Sequence, residues 1–213
     1  MKRAANFYID AFNLYYGLRA SCHGVVPYRW VNLARLCELL VPEARVSRIR
    51  YFTANIKPRP DDPGRAQRQQ IYLRALRTLP LLTIHFGHYL ESVVRMPVAN
   101  PQPGERRTVE VIRTEEKGSD VNLATMLLVD SFAEEFELAV VISNDSDLAL
   151  PIEVVRQRGF DVGILNPHLR RPSKRLRDVA SFVRPIRPRA VGAAPFDDPL
   201  RDARGQIRKP PTW

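Results

Sequence analysis

The chain has 213 residues, with 33 Lys and Arg against 23 Asp and Glu, a formal net charge of +10 and 45% hydrophobic residues. That length suits one α/β domain with modest additions, or at most two small ones, and that hydrophobic content excludes wholesale disorder. No run approaches 18 apolar residues, which excludes a membrane-spanning helix, and the opening MKRAANFYID lacks the apolar stretch of a signal peptide.

Residues 6–10, Asn-Phe-Tyr-Ile-Asp, read as a short buried strand ending in an acid, with Asn13, Leu14 and Gly17 in a following loop. Residues 30–40 carry Leu33, Leu36, Cys37 and Leu40 at helical spacing, and Pro42 closes that helix. Residues 46–53 alternate as a second strand. Lys57–Gly64, with Pro58, Pro60 and Pro63, is a loop. Residues 65–79 predict an amphipathic helix with Ile71, Tyr72, Ala75, Leu76 and Leu79 inward, and Leu81–Phe86 a third strand. Residues 90–113 predict a β-hairpin insertion, with arms Glu91–Val98 and Arg107–Arg113 around Asn100–Gly104. Ser119 is placed as the cap of an apolar helix over about 120–135. The run 138–143, Leu-Ala-Val-Val-Ile-Ser, is of the parallel-strand type. A helix over 148–158 ends before Gly159, and Asp161–Leu165 is another strand. The expectation is one α/β domain over 1–186 with a mostly parallel sheet flanked by helices. The Pro- and Arg-rich residues 187–213 form an extended tail, mobile over 190–213 unless a partner holds Trp213.

The positive charge is concentrated. Residues 45–77 carry nine Lys and Arg against Asp61 and Asp62, and residues 168–189 carry eight against Asp178; Lys57 and Lys174 are the only lysines in the two blocks. Arginine suits bidentate contacts to phosphate, so the blocks fit polyanion binding, against the plainer reading of an Arg-rich solvated surface. Two cysteines, Cys22 and Cys37, make neither a disulfide framework nor a four-thiolate zinc site, and cytoplasmic location with reduced thiols is the expectation. His85 and His88 do not form a metal pair, and there is no Walker loop and no dinucleotide fingerprint.

Four aspartates stand at expected strand ends and helix starts. Asp10 ends the first strand, Asp120 opens the apolar helix, and Asp145 and Asp147 follow the most apolar strand in Ser-Asn-Asp-Ser-Asp. Sites in parallel α/β sheets form beyond the carboxyl ends of the strands. Carboxylates gathered there repel, and oxygen donors suit Mg²⁺ or Mn²⁺. Each has a plainer role. Asp10 could orient the loop through Asn13, Asp120 could complement a helix dipole, and Asp145 or Asp147 could be a helix cap. Spacing leaves a phosphatase or a nucleotide-binding module open.

Three ordered motifs, Tyr8-Ile-Asp-Ala-Phe-Asn-Leu14, Lys117-Gly-Ser-Asp-Val-Asn-Leu-Ala124 and Val141-Ile-Ser-Asn-Asp-Ser-Asp-Leu148, resemble the NYN domain family, which is PIN-like and includes the LabA group. The resemblance runs from about residue 5 to residue 166. It implies a three-layer PIN-like, Rossmann-like fold and metal-dependent cleavage of RNA, with an endonuclease as the expectation. It carries the acidic centre onto Asp10, Asp120, Asp145 and Asp147, matches Asn13 to the amide beside the first acid and Ser143 to the hydroxyl residue closing the strand, and matches Lys117 to a lysine that touches a phosphate or balances the acids. One departure stands out: Met126 occupies a helix position where many relatives carry a further acid, and Asp130 lies one turn on. The expected enzyme is a Mg²⁺- or Mn²⁺-dependent ribonuclease, regulatory or toxin-like, with RNA as partner, no membrane, and a homodimer as one expected assembly. Arg59, Arg65, Arg68, Arg170, Arg171, Lys174 and Arg175 would guide the RNA backbone, and Tyr15, Tyr16 or Tyr89 would stack bases. A non-catalytic RNA-binding module of the same fold and a small-molecule phosphatase are the alternatives.

Overall fold

Alternation along the strands explains the architecture. In the computed structural model, which describes residues 2–102, 104–168 and 172–213, the elements are β1 (Arg3–Asp10), α1 (Ala11–Cys22), α2 (Leu33–Leu40), β2 (Ala44–Thr53), α3 (Arg65–Leu76), β3 (Leu82–Phe86), β4 (His88–Pro97), β5 (Thr108–Lys117), α4 (Ser119–Phe132), β6 (Leu138–Ile142), α5 (Ala149–Gln157), β7 (Asp161–Asn166), α6 (Lys174–Val179), β8 (Phe182–Pro185), α7 (Pro188–Gly192), β9 (Leu200–Asp202) and β10 (Gly205–Ile207). Ala5, Phe7 and Ile9 of β1 join a core with α1 and α2, whereas Tyr8 joins a second core with α4 and α5. On β6, Leu138, Val140 and Ile142 face the first core, and Ala139 and Val141 the second. Successive residues of a strand point to opposite faces, so these runs are apolar throughout because both faces are covered. Burying each large side chain contributes about 1.5–3 kcal/mol.

The sheet has strand order β3-β2-β1-β6-β7-β8, and every neighbouring pair in it is parallel. The order reverses direction between β1 and β6. A crevice at such a switch point, outside the carboxyl ends of the strands, is where α/β sheets place ligands. The antiparallel pair β4–β5 stands apart from the sheet and pairs from His88↔Lys117 to Pro97↔Thr108. The expected hairpin is therefore present, with longer arms.

Four expectations change. Asn13, Leu14 and Gly17 lie in α1, not in a loop. The Asp10 carboxylate accepts from Asn13 N at 2.9 Å and starts the helix, and Leu14, Leu18 and Cys22 form its buried stripe. Gly17 is required by packing: a Cβ there would lie 2.7 Å from the Pro167 backbone. Gly17→Ala is accordingly expected to destabilise by about 1–3 kcal/mol, as overpacking does, read as a lower urea midpoint. Ser119 is not the cap of α4. Gly118, at φ +95°, occupies that position, and Ser119 is the first helical residue. The 148–158 helix begins with a 3-10 turn at Ser146–Leu148 before α5.

Residues 187–213 are folded onto the chain itself. Val191, Ala194, Phe196 and Ile207 are buried in the first core, Val31 bridges Pro195, and Trp30 Nε1 donates to Asp197 O at 3.3 Å. Trp213 sits 6.4 Å from Trp30 and 6.1 Å from Tyr72, ring centre to ring centre. This segment packs on α1–α3 through the five-residue α7 and scattered apolar residues, too short a helix for periodicity to reveal.

Candidate active site

Parallel register places the first acid. Ile9 lies opposite Ile142, so Asp10 is brought alongside Ser143 at the carboxyl edge. The Ser143 hydroxyl donates to Asp10 Oδ2 at 3.0 Å and accepts from Asp145 N at 3.1 Å. Both Ser143 and Asp10 are buried. One hydroxyl thus ties the end of β1 to the loop after β6. Asp145 Oδ1 accepts from Asp147 N at 2.9 Å and begins the 3-10 turn. The capping roles open to Asp10 and Asp145 are therefore real, and they hold these carboxylates at the edge rather than excluding them from it.

Asn13, one turn into α1, closes the frame. Its Oδ1 accepts from Asn144 N at 3.0 Å and lies 2.9 Å from His168 Nε2. An amide oxygen offers no proton, so His168 donates through Nε2–H. Asn144 Oδ1 in turn accepts from Ser173 N at 2.8 Å. This bond anchors the start of α6 beside the site and brings the exposed Lys174 and Arg175 with it. Arg170 and Arg171 lie outside the described residues.

Asp120, in the first turn of α4, completes the group electrostatically. Partial burial and then Asp10, Asp145, Glu116 and Asp147, in that order, lift its carboxyl to about 6. Burial also raises Asp10, and Asp145 adds to it, against hydrogen bonds from Asn13 and Ser143 that lower it. Burial is the largest cause of both shifts, and the neighbouring acids add to it. The donors are oxygens only, which fits a hard divalent cation. Among the described residues no three His, Cys, Asp or Glu side chains converge as a ready-made ligand set. A cation here would therefore use water for part of its shell, as Mg²⁺ commonly does.

Other expected residues go elsewhere. Lys117 pairs with Glu115 at 3.3 Å on the hairpin. Arg50 of the first basic block is buried and holds Asp130 at 2.7 and 2.8 Å, with Tyr8 donating to the same carboxylate at 2.7 Å. Asp130 therefore does not replace the acid absent at Met126. Arg74 pairs with Asp202. Several arginines counted as an RNA surface are thus internal fasteners. Arg59, Arg65 and Arg68 line a cavity of about 540 Å³ that Ala11 and Phe12, the two residues after Asp10, also line. Arg68 is already paired with Asp62 at 2.5 Å. Tyr15 and Tyr16 also line it, while Tyr89 stacks edge-on against Phe12 at 6.1 Å.

Two site residues were not anticipated. Glu116 accepts from Ser119 N at 3.1 Å and Ser119 Oγ at 2.7 Å, and it acts on Asp120. Its position next to the Lys117-Gly-Ser-Asp motif was the available signal. His168 carried none, because only the approach of α1 to the end of β7 brings it to Asn13.

The chain is 31% identical over 185 residues to the 6-hydroxy-3-succinoylpyridine 3-monooxygenase HspA of Pseudomonas putida, covering 75% of this chain and 58% of that protein. It thus spans a little over half the length of that relative. A crystal structure of a protein of unknown function from Vibrio parahaemolyticus superposes with a TM-score of 0.54 at 18% identity, covering 87% of this chain and 93% of that one; this likeness concerns the fold. The family model of the NYN domain matches residues 5–186, the span that holds the parallel sheet, the hairpin and all four aspartates, and the chain belongs to the NYN domain family.

Proposed function

We propose that the chain is a divalent-metal-dependent ribonuclease that hydrolyses RNA phosphodiester bonds in the cytoplasm. The observation that carries this reading is the carboxylate group at the sheet's switch point, with Asp120 raised to about 6 by partial burial and by four neighbouring acids. Asp10, Asp145 and Asp147 would hold Mg²⁺ or Mn²⁺, directly or through water. When bound, such a cation supplies activation of water and stabilisation of charge at phosphorus. The chain's own work is positional. Ser143 fixes Asp10 and the Asp145 backbone in one frame, and Asn13 fixes the Asn144 backbone between them. Asp120 completes the site or orients the attacking water. Lys174 and Arg175 stand where a phosphate backbone would approach this acidic edge.

The test is cleavage of end-labelled single-stranded RNA with Mg²⁺ or Mn²⁺, against a chelator control. Cleavage that a chelator abolishes is the expected result, and cleavage indifferent to it would sink the reading. Ser143→Ala is expected to lower the rate about 10–100-fold, the usual loss when a group orienting a metal ligand is removed. The rate should fall far more than the melting temperature if Ser143 acts by positioning.

A second reading takes a small aromatic acid as substrate. The cavity beside Asp10 favours it, as does the substituted pyridine in the name of the Pseudomonas relative. Turnover of such an acid, with no RNA cleavage under either metal, would select it.

A further inference from the structure

The cavity beside the acidic edge has features that the carboxylate chemistry does not use. Its walls carry Tyr28, Tyr72 and Trp213, aromatic faces contributed by the segment before α2, by α3 and by the chain's end. Arg19, Arg29, Arg59, Arg65 and Arg68 line it together with Asp61 and Asp62, an excess of positive charge. Arg19, Arg59 and Arg65 make no ion pair among the described residues, so their charge is uncommitted.

Tyr51 is the second, independent observation. It comes from β2, lines the same cavity and is only 8% exposed. Its hydroxyl has no hydrogen-bond partner among the described residues, whereas the neighbouring Tyr72 hydroxyl donates to Val31 O at 2.9 Å. That hydroxyl is open to the cavity rather than enclosed in the protein, so it is available to a ligand there. A phenol carries its proton at neutral pH. It is therefore a donor, suited to an anionic oxygen.

We propose that this cavity is a binding site for a planar aromatic ring bearing an anionic group, with the ring against Tyr72 and Trp213 and the anion taken by the Tyr51 hydroxyl and Arg59 or Arg65. A planar ring stacks on an aromatic face, and uncommitted arginines add charge-assisted bonds. The volume falls within the range of small-molecule sites, about 300–1,000 Å³. Two sources carry this chemistry: a nucleotide of a bound RNA strand, or a free aromatic acid. The free-acid source rests on the second reading above, while the site itself rests on the cavity and so stands or falls apart from the ribonuclease reading.

The experiment is calorimetric titration of the metal-free full chain, in chelator, so that no turnover intervenes. The probes are benzoate, cyclohexanecarboxylate, inorganic phosphate and the nucleoside 5′-monophosphates. Benzoate or a monophosphate should bind at least about fivefold more tightly than cyclohexanecarboxylate or phosphate. Tyr51→Phe, which keeps the ring, and Arg65→Ala should each weaken binding about tenfold, equivalent to about 1.4 kcal/mol. Circular dichroism and the melting temperature establish that each variant is folded. Competition by a short single-stranded RNA assigns the site to a nucleotide of the strand, and undiminished binding in its presence assigns it to a free aromatic acid; both support the site. No saturable binding at millimolar probe, equal binding of benzoate and cyclohexanecarboxylate, or unchanged affinity in both folded variants would overturn it. Because none of these readouts involves cleavage, an inactive ribonuclease with an intact site, and an active one without it, give different results.

Discussion

Asp145→Asn is expected to lower metal-dependent RNA cleavage at least about 100-fold, or about 2.7 kcal/mol of transition-state stabilisation, while moving the melting temperature by no more than about 2 °C. The geometry separates the two effects. Asp145 N donates to Ser143 Oγ, and Asp145 Oδ1 accepts from Asp147 N. Asparagine retains both bonds, so the loop after β6 keeps its shape. What disappears is one negative charge at an edge where the acids already repel one another. Loss of that charge should, if anything, relax Asp120, which Asp145 helps to raise. A cation loses a ligand at the same stroke. Added Mn²⁺ should therefore raise the melting temperature of wild type more than that of the variant. Equal cleavage by both proteins would mean that a contaminant is responsible or that the acidic edge is not the site.

Asp130→Asn is expected to act on stability instead, with a loss of about 3–5 kcal/mol in urea unfolding. Asp130 is 2% exposed and accepts two bonds from Arg50 and one from Tyr8. Arg50 is itself 9% exposed. Its other neighbour is His85, whose Nε2 lies 3.3 Å from the guanidinium. Burial first and then Arg50 lower the His85 pKa, so a neutral imidazole faces the arginine. Asparagine would thus leave a buried guanidinium with only the weaker influence of Glu135 as counter-charge. Out of a total stability of about 5–15 kcal/mol, that loss brings the fold close to failure. The double change Asp130→Asn with Arg50→Met should recover part of it, because the stranded charge is gone. A double variant no more stable than Asp130→Asn would show that the penalty lies in packing around Asp130, not in the uncompensated arginine.

These two aspartates mark what could be seen in the chain alone. Asp10, Asp120, Asp145 and Asp147 were legible because each adjoins a strong local signal, an apolar strand or the first turn of a helix. Asp130 was weighed only as a substitute acid for the site. Its partner lies 80 residues away on β2, and no local pattern pairs an arginine with an aspartate at that distance. The same limit applied to the charge blocks. Composition located the arginines, but only the fold separates Arg50 and Arg74, which fasten the interior and the C-terminal segment, from Arg59 and Arg65, which line the cavity.

By itself the sequence determined the alternating elements, the parallel-sheet class, the hairpin and the three acidic motifs, since each rests on short-range periodicity or on neighbouring residues. Tertiary structure decided the rest. Parallel register set Asp10 beside Ser143, the approach permitted by Gly17 brought His168 to Asn13, and the aromatic packing of Trp213 turned an expected tail into a wall of the cavity. Those outcomes depend on contacts between distant segments, whose free energy appears only when the whole chain is assembled.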